Sequence, residues 1–314
     1  MDLLVAGDVN PDVLVVDPDP VPVFGQVERI VRVVRLTMGG SSSIMACGSA
    51  RLGLATAFCG VVGDDDGGRL ALALLRERGV DVSACRVDPT TPTAVTVVLA
   101  RDDDRAILTA LGTIGALGAE DIPRDLVARA RHLHVGSTAL QPRLRASLAD
   151  LFRHARGAGT TTSFDANWDP EERWEDLDHL LATADVCFPN LAEGRRWTGL
   201  EEPAEVARGI AARAMAAGRS AEARPLTVAL KLGGDGAIAV LAEELVRARA
   251  PRVEVVDTTG AGDSFDSGFV TGMLHGWSLE RTLGFAVACG SLSTRAIGGV
   301  EAQPTMAEVL ALIG

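Results

Sequence analysis

Short apolar runs alternating with longer helical patterns constrain this chain more than any other feature. The runs at 3–7 (LLVAG), 54–63 (LATAFCGVVG), 132–136 (HLHVG), 160–167 (TTTSFDAN), 185–190 (DVCFPN) and 226–233 (LTVALKLG) read as buried strands. Between them, segments 43–53, 68–79, 142–159 and 205–218 carry apolar residues at helical spacing and stop at glycine. Strands apolar on successive residues are covered on both faces, as in a parallel sheet flanked by helices. The expected fold class is therefore α/β, a three-layer α/β/α core with a mostly parallel central sheet. From Gly260 onward the pattern is mainly helical.

Two segments break the alternation. Residues 12–40 are strand-like with prolines, and 91–111 reads as a hairpin turning at 102–104. They predict a small β-sheet lid formed by about 12–38 and 91–111. A chain of 314 residues with 47% hydrophobic content can bury one large core or two smaller ones. No repeat or low-complexity linker divides it, so 1–314 is expected to be a single domain carrying that lid.

The net charge of -12 disfavours nucleic acid and anionic membrane surfaces as partners. It leaves open small phosphate-bearing ligands held by backbone N–H groups. Five dispersed cysteines without CxxC spacing suit reduced thiols in a cytoplasmic protein. The N-terminus lacks the basic region of a signal peptide, and no apolar run approaches a membrane span.

The segment VEVVDTTGAGDSFDSGF at 253–269 carries the sharpest chemical signal. A strand-like run gives way to Gly260, Ala261 and Gly262, then to a helix whose first turn contains Asp263. Unsatisfied N–H groups and the positive helix end converge there, a ready anion site. Asp263 could be a helix cap, but capping requires neither the glycines nor the preceding DTT. With a phosphate on those amides, Asp263 can accept the proton of an attacking alcohol, which is most of what phosphoryl transfer asks of a protein.

Other motifs fail on context. A P-loop needs lysine followed by Ser or Thr, whereas the only lysine, Lys231, precedes Leu232. GGDGAIA at 233–239 lies between two strand-like runs and reads as a turn. HLH at 132–134 sits on a buried strand without acidic or cysteine company and reads as core. GDDDGG at 63–68 lacks the calcium-loop spacing and reads as a helix cap.

DTTGAGDSF at 257–265 resembles the C-terminal signature of the ribokinase-like family, the PfkB carbohydrate kinases. Residues 39–68 are similar to its N-terminal signature, PNLAEGRRWTG at 189–199 to its PN-x-x-E-x-x-x-x-TG segment, and NPD at 10–12 to its first substrate contact. The four matches follow the family's order over nearly the whole chain. The resemblance implies an ATP-dependent transfer of the γ-phosphoryl group to a primary hydroxyl of a sugar or sugar-like substrate. Asp263 would be the catalytic base, and Gly260, Ala261 and Gly262 the anion hole. Asn10, Asp12, Gly39, Gly40 and Ser137 would hold the substrate. Asn190, Glu193, Lys231, Gly233 and Gly236 would serve the nucleotide, with Asn190 and Glu193 placing Mg2+. Asp257 and Thr259, with carbonyls near Arg295 and Ile297, resemble a monovalent-cation (K+) site. Paired lids imply a homodimer.

The chain departs from the family pattern at Ile44, where GG-x-x-x-N has a sugar-binding asparagine. Ser41, Ser42 or Ser43 would then replace that contact, or cap the helix that follows. DANWDP at 165–170 resembles a D-x-N element with Asp169 where arginine is frequent. These departures bear on the acceptor. The alternatives are a nucleoside kinase of the same family, or a catalytically silent nucleotide- or sugar-binding sensor.

Overall fold

The computed structural model describes residues 1–101, 104–169, 174–220 and 223–314. Its main sheet has eight strands in the order Glu244–Ala248, Ala237–Leu241, Thr227–Lys231, Val186–Cys187, Thr161–Phe164, His132–Val135, Leu3–Ala6 and Thr56–Cys59. Pairing is parallel from Thr227–Lys231 to Thr56–Cys59, and the other two strands close that side as an antiparallel hairpin.

Alternate residues of these strands feed two separate cores, as the two-residue period of a strand requires. Leu4, Leu133, Phe164 and Val228 pack with helices Pro142–Gly157 and Pro203–Ala216. Leu3, Val5, Phe58 and Ala229 pack on the other face, with helices Ser41–Arg51, Ala261–Leu274 and Leu279–Ser293. This is the expected three-layer α/β/α arrangement with a mostly parallel sheet. His132 and His134 belong to the second face, fully buried, both bonded to the Ser163 hydroxyl. Burial pushes them down to about 3 and about 4, so both are neutral core residues.

The two strand-rich segments join in one four-stranded sheet, ordered Val33–Gly39, Asn10–Val16, Val95–Arg101, Asp104–Ala110. The inner pair, Asn10–Val16 and Val95–Arg101, is parallel. The first segment is strand only at its ends. Pro18, Pro20 and Pro22 interrupt the middle, where missing N–H donors prevent a ladder. Of the turn expected at 102–104, residues 102 and 103 lie outside the described residues. The run 54–63 is likewise two strands, Thr56–Cys59 and Val61–Gly63, in different sheets. Among the described residues no helix is long and apolar enough to cross a membrane.

Candidate functional site

The carboxyl ends of the parallel strands open onto a cavity of about 1440 Å³ between core and lid. In open parallel sheets ligands bind at this edge. Asp8 follows Leu3–Ala6, Asp165 follows Thr161–Phe164, Asn190 follows Val186–Cys187, and Lys231 ends its own strand. The N-termini of helices Ser41–Arg51 and Ala261–Leu274 meet at the same place, where Ser41 Oγ donates to Asp263 Oδ1.

Gly260 caps the helix Ala261–Leu274 in the left-handed conformation (φ 72°, ψ 6°). A Cβ there would lie 2.7 Å from the Gly299 carbonyl oxygen and 3.0 Å from Ile44 Cγ2, so glycine is required twice over. Gly260, Ala261, Gly262 and Asp263 all line the cavity. Burial lifts the Asp263 carboxyl to about 7, against the Ser41 hydrogen bond and the Lys231 charge, which pull it down.

One carboxylate oxygen each from Asp165, Asp263 and Asp266 lies within 4.8 Å of the others. Lys231 Nζ stands among them, 2.6 Å from Asp165 Oδ2 and 3.3 Å from Asp266 Oδ1. Burial opposes ionisation of Asp165, but Lys231 outweighs it and holds that carboxyl below its usual range. Burial and Asp165 drive Asp266 well above.

On the lid side, Asp12 lines the cavity and Asn10 stands behind it, donating to Asp12 Oδ1 (2.7 Å) and Thr96 Oγ1 (3.4 Å). Gly39 leaves room for this carboxylate, since a Cβ there would lie 1.8 Å from Asp12 Oδ1. Gly40 is the N-cap of helix Ser41–Arg51. Burial raises Asp12 to about 7, with the Asn10 bond opposing. Ser137 is fully buried, and its hydroxyl accepts from Asn167 Nδ2 (2.8 Å); Asn167 is the one that reaches the cavity.

The serines after Gly40 separate in role. Ser42 donates to Asp8 (2.5 Å) and Ser43 to the Gly39 and Gly40 carbonyls, which leaves Ser41 at the cavity. Ile44 packs on the glycine turns at Gly260 and Gly299.

On the opposite side, Asn190 and Glu193 form a reciprocal capping box at helix Leu191–Thr198, with both bonds 2.9 Å. Burial and Asp165 lift Glu193 to about 7, against Lys231. Both residues line the cavity, as do Gly233 and Gly236 of the turn after Lys231. Asp257 holds the turn that leads to Gly260: Thr259 N and Oγ1 donate to its Oδ1 (2.9 and 2.8 Å), and Gly298 N to its Oδ2 (2.8 Å). Arg295 and Ile297 precede Gly298 in the loop so fastened, and the Arg295 side chain turns to the Leu292 carbonyl (2.9 Å).

Two contributors escaped the sequence reading. Asp8 accepts the Ser41 and Ser42 amides (2.9 and 3.0 Å) and thereby fixes Ser41 beside Asp263. Its signal was an acid at the end of a buried strand. Asp266, one helical turn after Asp263, was legible from its i+3 spacing.

The chain matches the model described as pfkB family carbohydrate kinase over residues 2–306. It is 36% identical over 315 residues to an ATP-dependent ribose-1-phosphate kinase of Halopiger xanaduensis, covering 99% of this chain and 97% of the relative. It is 34% identical to a 2-dehydro-3-deoxygluconokinase of Bacillus subtilis, over 85% of this chain and 84% of that protein. Among solved structures, the ribokinase of Arabidopsis thaliana complexed with ribose and ATP superposes with a TM-score of 0.81 at 25% identity, over 99% of this chain and 98% of that one.

Proposed function

Since the chain belongs to the pfkB family of carbohydrate kinases, ATP-dependent phosphotransferases with an alcohol group as acceptor, we propose that Asp263 is its catalytic base and the turn 260–262 its anion hole. The acceptor is a sugar or sugar-like molecule carrying a primary hydroxyl. Asp263 takes the hydroxyl proton, the alcohol oxygen bonds to the γ-phosphorus, and the bond to the β,γ-bridging oxygen breaks to release ADP. The amides at the start of helix Ala261–Leu274 stabilise the charge on the transferring group. The observation that carries this reading is the Ser41–Asp263 hydrogen bond, which gives the base an alcohol donor at the mouth of the amide turn.

Asp12, backed by Asn10 and accommodated by Gly39 and Gly40, receives the acceptor's hydroxyls, with Ser137 acting through Asn167. Gly233 and Gly236 line the nucleotide side. Asn190 and Glu193 fit a divalent cation, because a cation offsets the charge that burial disfavours on Glu193. Mg2+ held there neutralises phosphate charge when bound. Asp257 and Thr259, with the Arg295 and Ile297 carbonyls, take a monovalent cation such as K+ that firms the turn. Turnover indifferent to potassium would remove this assignment.

The chain works as one unit, with the lid closing over the acceptor to exclude water. It also pairs with a second copy through the outer lid face, where Leu36, Val13, Val97 and Leu108 stand in one row across the four strands. A parallel row, Val34, Val15, Leu99 and Ala106, widens the apolar part of this face. A cytoplasmic location suits the five free cysteines.

The decisive experiment is a panel of sugars, sugar acids, sugar phosphates and nucleosides with ATP and magnesium, read as ADP release. One acceptor class is expected to stimulate release well above the ATP-only rate; no stimulation by any class would overturn the kinase reading in favour of a silent sensor. A nucleoside acceptor is the second reading, favoured by the apolar wall of Val98, Ile107, Leu111, Leu140 and Trp168.

A further inference from the structure

Lys231 ends the strand Thr227–Lys231, its side chain on the face shared with Ala229 and directed at helix Ala261–Leu274. A Cβ built on Gly262 would lie 3.4 Å from Nζ and 3.8 and 3.9 Å from Cδ and Cε. The end of the lysine thus runs along the last residue of the amide turn. Two of the three ammonium donors go to Asp165 and Asp266. The side chain keeps 15% exposure and lines the cavity, so the third donor has access to a ligand there.

A purely structural tie between sheet and helix is a weak reason for this arrangement. Buried ion pairs repay their desolvation poorly, and an apolar replacement is often as stable. The site's charge gives a better one. The carboxyl groups of Asp165, Asp263 and Asp266 gather at this spot, Asp165 held below its usual range, and a triphosphate would add further negative charge. The helix start supplies only about half an elementary charge. A fixed ammonium beside the turn, aimed by two carboxyl groups from different elements, meets the need without reorganisation.

We propose that Lys231 is a catalytic residue: its ammonium donates to the γ-phosphoryl group lodged on the turn 260–262, while Asp165 and Asp266 are positioning residues that aim it. This rests on the reading of that turn as the phosphoryl-transfer site. It gives the DxN element at 165–167 a role that sugar recognition alone does not. The lysine selects for the γ-phosphoryl group itself, so ATP gains from it and ADP does not.

The test compares Lys231→Met and Lys231→Arg with the native enzyme in melting temperature, affinity for ATP and for ADP with magnesium, and turnover. Lys231→Met is expected to fold, to bind ADP as the native protein does, to bind ATP about tenfold more weakly, and to lose roughly 10²–10³-fold in kcat. Lys231→Arg recovers part of that loss, because its charge persists while its planar fork fits the spot less well. Native-like kcat in Lys231→Met, or an equal loss of ADP and ATP affinity, overturns the proposal.

Should Lys231→Met fail to fold, the native protein still decides. Labelling the only lysine with ¹⁵N at Nζ gives one side-chain ammonium signal, expected to move with a non-hydrolysable ATP analogue and magnesium but not with ADP and magnesium. An identical response to both sinks the assignment. Asp263→Asn is assayed in parallel: retained turnover there overturns the reading of the turn, whereas its loss beside an unaffected Lys231→Met rejects only the lysine.

Discussion

Arg105 of the lid donates through Nη1 to Thr259 Oγ1 across 3.0 Å, joining the lid's last strand to the turn that leads into Gly260. The same hydroxyl donates to Asp257, so lid position and turn geometry share one small hydrogen-bonded chain. Arg105→Met should loosen closure while leaving the base and the amide turn in place. The expected result is a roughly tenfold rise in acceptor KM, the scale of one charge-assisted hydrogen bond, with more ATP hydrolysis per phosphorylated product. An unchanged KM and coupling ratio would remove the latch role.

Asp263→Asn should lower kcat by on the order of 10²–10⁴-fold, with ATP affinity within a few-fold of native. Burial lifts the native carboxyl from 3.8 to about 7, and only the ionised form can accept a proton. In the native enzyme kcat/KM should therefore rise with pH and level off above about 7. A flat profile from pH 5 to 8 would count against this base.

The same carboxyl ties stability to pH. The folded chain keeps its proton where the unfolded chain has lost it, so its contribution is complete below 3.8 and vanishes as pH rises through about 7. Asp263→Asn lacks that dependence. Relative to native, it should gain stability between about pH 4 and pH 8 in denaturant titrations, and a constant difference would contradict the raised value.

Gly260→Ala and Gly262→Ala should diverge. At Gly260 the positive φ costs an alanine roughly 1–2 kcal/mol, and the Gly299 carbonyl blocks the added carbon. At Gly262 a Cβ meets Lys231 only at ordinary contact distance, in a helical turn where alanine is favoured. Melting temperature should fall for the first and hold or rise for the second.

Leu36→Glu combined with Leu108→Glu should place two charges at the ends of the outer lid row, where the two leucines are each 64% exposed. Light scattering is expected to report a dimer for the native chain and a monomer for this variant. A native monomer at micromolar concentration would dismiss the pairing.

How legible all this was depends on which residues speak locally. Asp263 announced itself because a glycine turn before a helix has few other uses, and the lid strands showed through β-branched alternation. What pairs with what is set by distant segments: nothing near Asn10 indicates that its strand lies parallel to Val95–Arg101. The family resemblance put Lys231 at the nucleotide, but its partners Asp165 and Asp266 lie 66 and 35 residues away and no local pattern joins them to it. Ile44, at the position of the family's sugar-binding asparagine, lines the cavity and also lies against Gly260 and Gly299, a contact no local pattern announces. Ser42 and Ser43 were candidate replacements until their partners, Asp8 and two backbone carbonyls, were in view.

In the lid, Ile107 faces the cavity while Leu108 stands in the outward row. Neighbours in the chain thus meet different surroundings, one the cavity and the other the outside of the lid. Point substitutions can retune either face and spare its opposite. A single inserted or deleted residue would exchange the two faces at once. Diversification of this element should therefore proceed by replacement, with the strand lengths held fixed.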